Sequence, residues 1–152
     1  MASCILATSV FFAGCNPDNP LKSVPDPIGT LTANISRETG ISISGVGGIY
    51  WTSPDNFSLG TGYYYNRVSI CNMGVMSGLG NITKIPASGF TTPADYLYSA
   101  ACEARRGYVI KFESFNSNYL DVYVRLYVVE KIVSTSGGIM GAKVKYQYPF
   151  EP

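Results

Sequence analysis

Between Leu120 and Val128 every second residue is apolar: Leu120, Val122, Val124, Leu126 and Val128 alternate with Asp121, Tyr123, Arg125 and Tyr127. Side chains of a strand point in turn to opposite faces, so this period of two dictates a strand with one apolar and one polar-aromatic face. The same alternation occurs on either side. Tyr108, Ile110 and Phe112 oppose Val109, Lys111 and Glu113, and Ala142, Val144, Tyr146 and Tyr148 oppose Lys143, Lys145 and Gln147. Turn formers separate the three runs, Asn116-Ser117-Asn118 and Gly137-Gly138. They predict a three-stranded antiparallel unit with one face on a core and one face in water.

Upstream, the β pattern is shorter and more broken. Leu31, Ala33 and Ile35 share one side of Gly29–Ile35, and Ile41–Ser44 alternates again. Ile49–Thr52 reads as a strand ended by Ser53-Pro54-Asp55-Asn56. Phe57–Leu59 and Tyr63–Tyr65 are short β segments, and Val68 and Ile70 lie on one face of Arg67–Cys71. Residues 77–91 read as loop. The fold class is therefore mainly β, a single antiparallel β-sandwich or open barrel. One short helix is expected near residues 93–104. There Thr92 would cap, Pro93 would open the first turn, and Ala94, Leu97, Tyr98 and Ala101 would share a face before Gly107.

Composition excludes more than it selects. The 152 residues suit one domain, and 11 basic against 10 acidic residues give a net charge of +1. That balance lacks the basic face nucleic acid asks for. There is no histidine, which removes histidine-based triads and histidine-ligated zinc or haem. No cofactor and no metal are expected. Asp95, Glu103, Glu113, Asp121 and Glu130 stand singly, without the paired arrangement of glycoside hydrolysis. The glycine clusters Gly45–Gly48, Ser77–Gly80 and Gly137–Gly141 do not continue into Gly-Lys-Ser/Thr, so they read as turns and bulges.

The N-terminus points to export. An apolar run from Ile5 to Gly14 ends in Phe11-Phe12-Ala13-Gly14-Cys15, which resembles a bacterial lipobox. At about 10 residues the run fits a signal-peptide core and falls far short of the roughly 20 that span a bilayer. Residues 1–14 are read as a signal peptide, with Cys15 acylated after cleavage and holding the protein to the membrane. Met1-Ala2-Ser3-Cys4 lacks the usual basic start, so Met1 is read as an internal start of a longer precursor. Residues 15–27, with four prolines, form a tether, and residues 28–152 form the β-rich domain. Cys71 and Cys102 remain, an even pair in an oxidising compartment. A disulfide between them would close a loop of about 32 residues and contribute about 3–4 kcal/mol. Two buried free thiols are the alternative.

Ile49–Asn56, Gly78–Ile82, Tyr123–Glu130 and the run Ser136-Gly-Gly-Ile-Met-Gly-Ala-Lys-Val-Lys-Tyr-Gln-Tyr-Pro-Phe150 resemble a family of small Bacteroidetes lipoproteins, domain-of-unknown-function family 5036. The resemblance covers most of Gly29 to Pro152. It implies an outer-membrane lipoprotein of the cell envelope, facing the periplasm or the surface, and implies no activity.

Tyrosine carries the positive functional indication. There are 12, with Tyr50 beside the single tryptophan Trp51, and a run Tyr63-Tyr64-Tyr65. Exposed rings beside polar groups form stacking platforms for sugars, whose C–H faces are apolar. Tyr50, Trp51 and Tyr64 are the expected ligand-binding residues of a non-enzymatic binding or accessory module, for a saccharide or an envelope protein. The alternative is that tyrosine is simply a good strand former. A second reading makes the chain a structural subunit that joins a surface assembly by adding the strand Gly141–Pro152 to a partner. A third, less favoured, is a hydrolase.

Overall fold

The structure is a computed structural model that describes residue 22 and residues 24–52, 55–92 and 98–152, with the side chains of residues 98 and 99 excepted. The signal segment, Cys15 and residues 93–97 lie outside the described residues.

Two antiparallel sheets face each other, as a sandwich. The strands are β1 Leu31–Ser36, β2 Ile41–Ile43, β3 Gly47–Thr52, β4 Asn56–Thr61, β5 Tyr65–Val75, β6 Tyr98–Ala101, β7 Arg106–Ser114, β8 Val122–Val133 and β9 Ile139–Gln147. One sheet runs β1-β9-β8-β7-β5 and the other β2-β3-β4-β6. The three C-terminal runs form β7, β8 and β9 of the first sheet, in sequential antiparallel register. Ser134–Gly138 turns β8 into β9, with Gly137 at φ 86° and its N–H donating to the Ser134 carbonyl at 2.9 Å.

The core lies where the inward faces meet. Ile35, Ile49, Phe57, Val68, Ile110, Phe112, Val124, Leu126, Val128 and Val144 are buried there together. Each occupies the face its alternation assigns. Phe57 of one sheet meets Tyr108 of the other edge to face, centroids 5.0 Å apart. Aromatic area of this kind supplies much of the hydrophobic driving force.

Two expectations are corrected, the helix and the fully wet second face. The helix near 93–104 is replaced, over its described part, by strand β6, which pairs with β4 from Asn56↔Ala101 to Leu59↔Tyr98. Local capping signals lose here to the unpaired edge of β4, because ladder hydrogen bonds satisfy donors and acceptors of both segments.

The polar-aromatic face of the first sheet is wet only in part. Residues 76–91 fold back over it and bury Leu79 and Ile82 with Val109, Tyr127 and Phe150 as a second apolar cluster. Part of the expected tether touches this domain. Ser77 Oγ and Asn81 Nδ2 donate to the Lys22 carbonyl at 3.3 and 3.2 Å, and Lys145 pairs with Asp26. A Cβ on Gly80 would overlap the Pro25 carbonyl oxygen, so glycine there is what lets the two segments touch.

Finally, β9 lies between β1 and β8, hydrogen-bonded on both sides. The segment Gly141–Pro152 contributes Ala142, Val144 and Phe150 to the interior.

Candidate functional site: a glycine-floored groove between tyrosines

On β3 the residues alternate strictly. Ile49 and Trp51 face the core, opposite Leu59 and Phe57 of β4, while Gly48 and Tyr50 face outward, opposite Gly60 and Ser58. Tyr50 and Trp51 therefore cannot share a platform. Trp51 is 4% exposed and packs in the core.

The outward face of this sheet is nearly bare where β2, β3 and β4 lie side by side, with Tyr50 and Ser58 further along. Ser42, Gly48 and Gly60 stand side by side on β2, β3 and β4. The Tyr50 ring lies down on this floor. A Cβ on either Gly40 or Gly48 would overlap the ring, so these two glycines seat it. A groove of about 430 Å³ results, with Ser42, Gly45, Gly48, Gly60 and Thr61 beneath it and Tyr50 and Tyr63 beside it.

Tyr63 and Tyr64 occupy the turn between β4 and β5, not a strand, so both rings remain accessible, at 82% and 38%. Tyr65 opens β5 and is buried. Tyr63 meets Tyr64 edge to face at 5.1 Å, and Tyr64 stacks on Tyr119 at 4.7 Å with planes 25° apart. Three tyrosines thus form one wall, of which Tyr63 borders the groove. Of the expected residues, Tyr50 lines it, Tyr64 supports it from behind, and Trp51 is turned away. In the sequence Tyr63 stands out only within the run 63–65 and Gly45–Gly48 reads as a turn, and neither these nor Tyr119 is assigned to a site. The dense Gly45-Val-Gly-Gly48 cluster was their trace.

Cys71 and Cys102 are free thiols, which corrects the expected disulfide. The reason is the pleat. Cys71 pairs with Val109 and shares its outer face, where its thiol lies 3.8 Å from the Ser88 carbonyl oxygen. Cys102 is fully buried in the core between the sheets. A sheet stands between the two sulfurs. Burial pushes both thiols up, Cys102 to about 11 despite the opposing Lys131 ammonium. Such thiols stay protonated near neutral pH and make poor nucleophiles.

Among the carboxylates, Glu113 and Asp121 do approach each other. Lys111 Nζ lies 2.7 Å from Glu113 and 3.1 Å from Asp121, and Arg67 reaches Glu113 at 3.5 Å. The hydrogen bond that Lys111 donates to Glu113 is the chief cause of the raised Lys111 pKa. This is an ion-pair cluster with an ammonium at its centre, and neither carboxylate borders the tyrosine groove. Among the described residues no group of three or more cysteine and carboxylate side chains is placed to hold a metal ion.

No family model matches the chain, and no curated protein or solved structure matches it.

Proposed function

We propose that this protein is an exported, lipid-anchored module of the cell envelope that binds saccharide without chemically changing it. The observation that carries the binding half is the groove between Tyr50 and Tyr63. Its rings offer apolar surface for sugar C–H faces. Its glycine floor lets a pyranose approach the backbone closely, and Ser42 and Thr61 offer hydroxyls to sugar hydroxyls. Export and anchorage rest on the lipobox-like segment Phe11–Cys15, and outer-membrane location on the family resemblance. Two or more acyl chains on Cys15 would hold the protein stably, at about 0.8 kcal/mol per buried methylene.

The test is a glycan array probed with the wild-type protein, then with Tyr50→Ala and Tyr63→Ala. Binding to at least one glycan class, lost in both variants while their unfolding midpoints stay near wild type, supports the reading. A protein that binds no glycan, or whose binding survives both substitutions, overturns it. Anchorage is checked separately by the mass of the mature N-terminus, where an unacylated Cys15 would refute that half alone.

A further inference from the structure

The two ends of the sandwich differ in chemistry. Three connections meet at the end where β5 begins and β7 stops: 44–46 between β2 and β3, 62–64 between β4 and β5, and 115–121 between β7 and β8. Residues 44–46, 62–64 and 115–120 include no charged residue, and they hold Tyr63, Tyr64, Phe115, Tyr119 and Leu120. The connections at the opposite end carry Arg37, Glu38, Asp55, Glu103 and Arg105.

The uncharged end holds its apolar side chains outward on an ordered frame. Leu120 is 86% exposed and Phe115 57%. The Asn116 carbonyl accepts from the Tyr119 N–H at 3.0 Å, Asn116 Oδ1 from the Asn118 N–H at 2.9 Å, and Asp121 Oδ1 from the Ser114 N–H at 3.2 Å. The loop is fastened to the neighbouring turn as well. Tyr64 stacks on Tyr119, Ser114 Oγ donates to the Tyr64 carbonyl at 3.3 Å, and the Tyr65 hydroxyl donates to the Leu120 carbonyl at 3.4 Å. Behind this tip stands the cluster of Arg67, Lys111, Glu113 and Asp121, two cations paired with two anions. An exposed apolar patch rimmed by polar groups marks an interaction surface.

The chain outside the described residues says what lies within reach. The Lys22 carbonyl is fixed to the domain by Ser77 and Asn81. Cys15 is seven residues earlier, and seven residues span at most about 25 Å when fully extended. An acyl group on Cys15 therefore keeps the domain at the bilayer, where the end without charge is the one that can enter it at low desolvation cost.

We propose that the tip formed by Tyr63, Tyr64, Phe115, Tyr119 and Leu120 docks on a phospholipid bilayer, an inference that rests on the acylated Cys15 of the reading above. Leu120 and Phe115 enter the boundary of the acyl chains. The tyrosine rings sit at headgroup depth, apolar body inward and hydroxyl in water. The ion-pair cluster stays outside, and its balanced charge makes a zwitterionic surface sufficient. Phe115 and Leu120 do not line the glycine-floored groove, so the two sites can be separated by substitution.

The test uses the acylated protein reconstituted in phosphatidylcholine vesicles, with an environment-sensitive dye on Asn118→Cys at the tip or on Ser136→Cys at the opposite end. Cys71 and Cys102 are buried and stay unlabelled in the folded protein. The dye at 118 is expected to shift to the blue on reconstitution and to be quenched by a quencher carried on the lipid, while the dye at 136 does neither. Adding Leu120→Asp and Phe115→Asp, both at exposed positions, is expected to abolish the shift at 118 and to leave anchorage and glycan binding unchanged. A lipidated protein whose residue 118 stays in water refutes the tip alone, and so does a shift at 136 in place of 118 or a shift that survives both aspartates. An unacylated Cys15, read from the mass of the mature N-terminus, refutes the anchor and this proposal with it.

Discussion

The Arg125 guanidinium stands 4.6 Å from the centroid of the Phe150 ring, joining the middle of β8 to the last turn of the chain. Its Nη1 donates to the Ile82 carbonyl at 2.6 Å, and its Nε to Gln147 Oε1 at 2.7 Å, with Nη2 donating to the same oxygen. One 9% exposed cation thus ties the loop over the sheet to β9 and to the C-terminus. Desolvation lowers its pKa, yet a guanidinium remains charged at any ordinary pH.

Replacing Arg125 by alanine should therefore cost about 2–4 kcal/mol, since the Ile82 carbonyl loses its buried donor and Phe150 its cation. Arg125→Lys should recover less than half, because an ammonium cannot serve both acceptors in the geometry of the fork. Urea denaturation of the three proteins measures this. Equal midpoints for wild type and Arg125→Ala would show the contacts to be energetically idle.

Cys71 and Cys102 should behave as inert free thiols. Without reductant, neither should alkylate readily in the native protein, and both should alkylate once guanidinium unfolds it. Peptide mass spectrometry assigns each position. A Cys71–Cys102 linked peptide would contradict the placement of the two sulfurs on opposite sides of a sheet.

Stability should fall on the alkaline side through Cys102. Burial raises this thiol from 9.0 to about 11. Between those values the folded state holds a proton that the unfolded state has lost, so stability decreases as pH rises, and below pH 9 the contribution is flat. From pH 8 to 10 the loss should be about 1 kcal/mol, with Tyr108, raised by burial to about 12, adding to it above pH 10. Cys102→Ala should start less stable and lose most of that slope. An unchanged slope would assign the alkaline fall elsewhere.

Neighbouring glycines of β3 should respond in opposite ways. A Cβ on Gly47 would overlap the Gly60 carbonyl and the Phe112 ring, both fixed in the sandwich. Gly47→Ala should cost about 2 kcal/mol or more, as overpacking against an immobile wall does. A Cβ on Gly48 meets only the Tyr50 ring, which can swing outward. Gly48→Ala should cost less than about 1 kcal/mol and weaken glycan binding, because it unseats the ring. Thermal melts and the glycan array read the two effects separately.

Deleting Gly141–Pro152 should leave no folded monomer, because β9 is hydrogen-bonded to both β1 and β8. A deletion variant with a cooperative melt and dispersed amide spectrum would refute this.

Alternation along one strand was enough to assign most inward residues. Leu31 and Tyr148 are exposed exceptions at strand ends, and Leu120 is the largest, 86% exposed, because it precedes β8 and lies outside the pleat that would turn it inward. The cysteine pair and the aromatic platform failed for one shared reason. Counting cysteines, or noting that Tyr50 adjoins Trp51, ignores the face each residue takes, and the pleat separates them. The expected helix failed differently. Its capping pattern is local, whereas the unpaired edge of β4 that recruits Tyr98–Ala101 lies some forty residues away, a separation no local pattern encodes.

The sequence by itself determined the β class, the turns at Gly137-Gly138 and Asn116–Asn118, and which face of β7, β8 and β9 is apolar, because each depends on neighbours within a few residues. Only the tertiary structure decided that residues 76–91 cover the second face of the sheet. The same holds for the burial of Trp51 beside an end cavity and the meeting of Tyr50, Tyr63 and five glycines around a groove. Those outcomes depend on which segments pair across long stretches of chain, and pairing is settled by the area and hydrogen bonds the whole sandwich can satisfy at once.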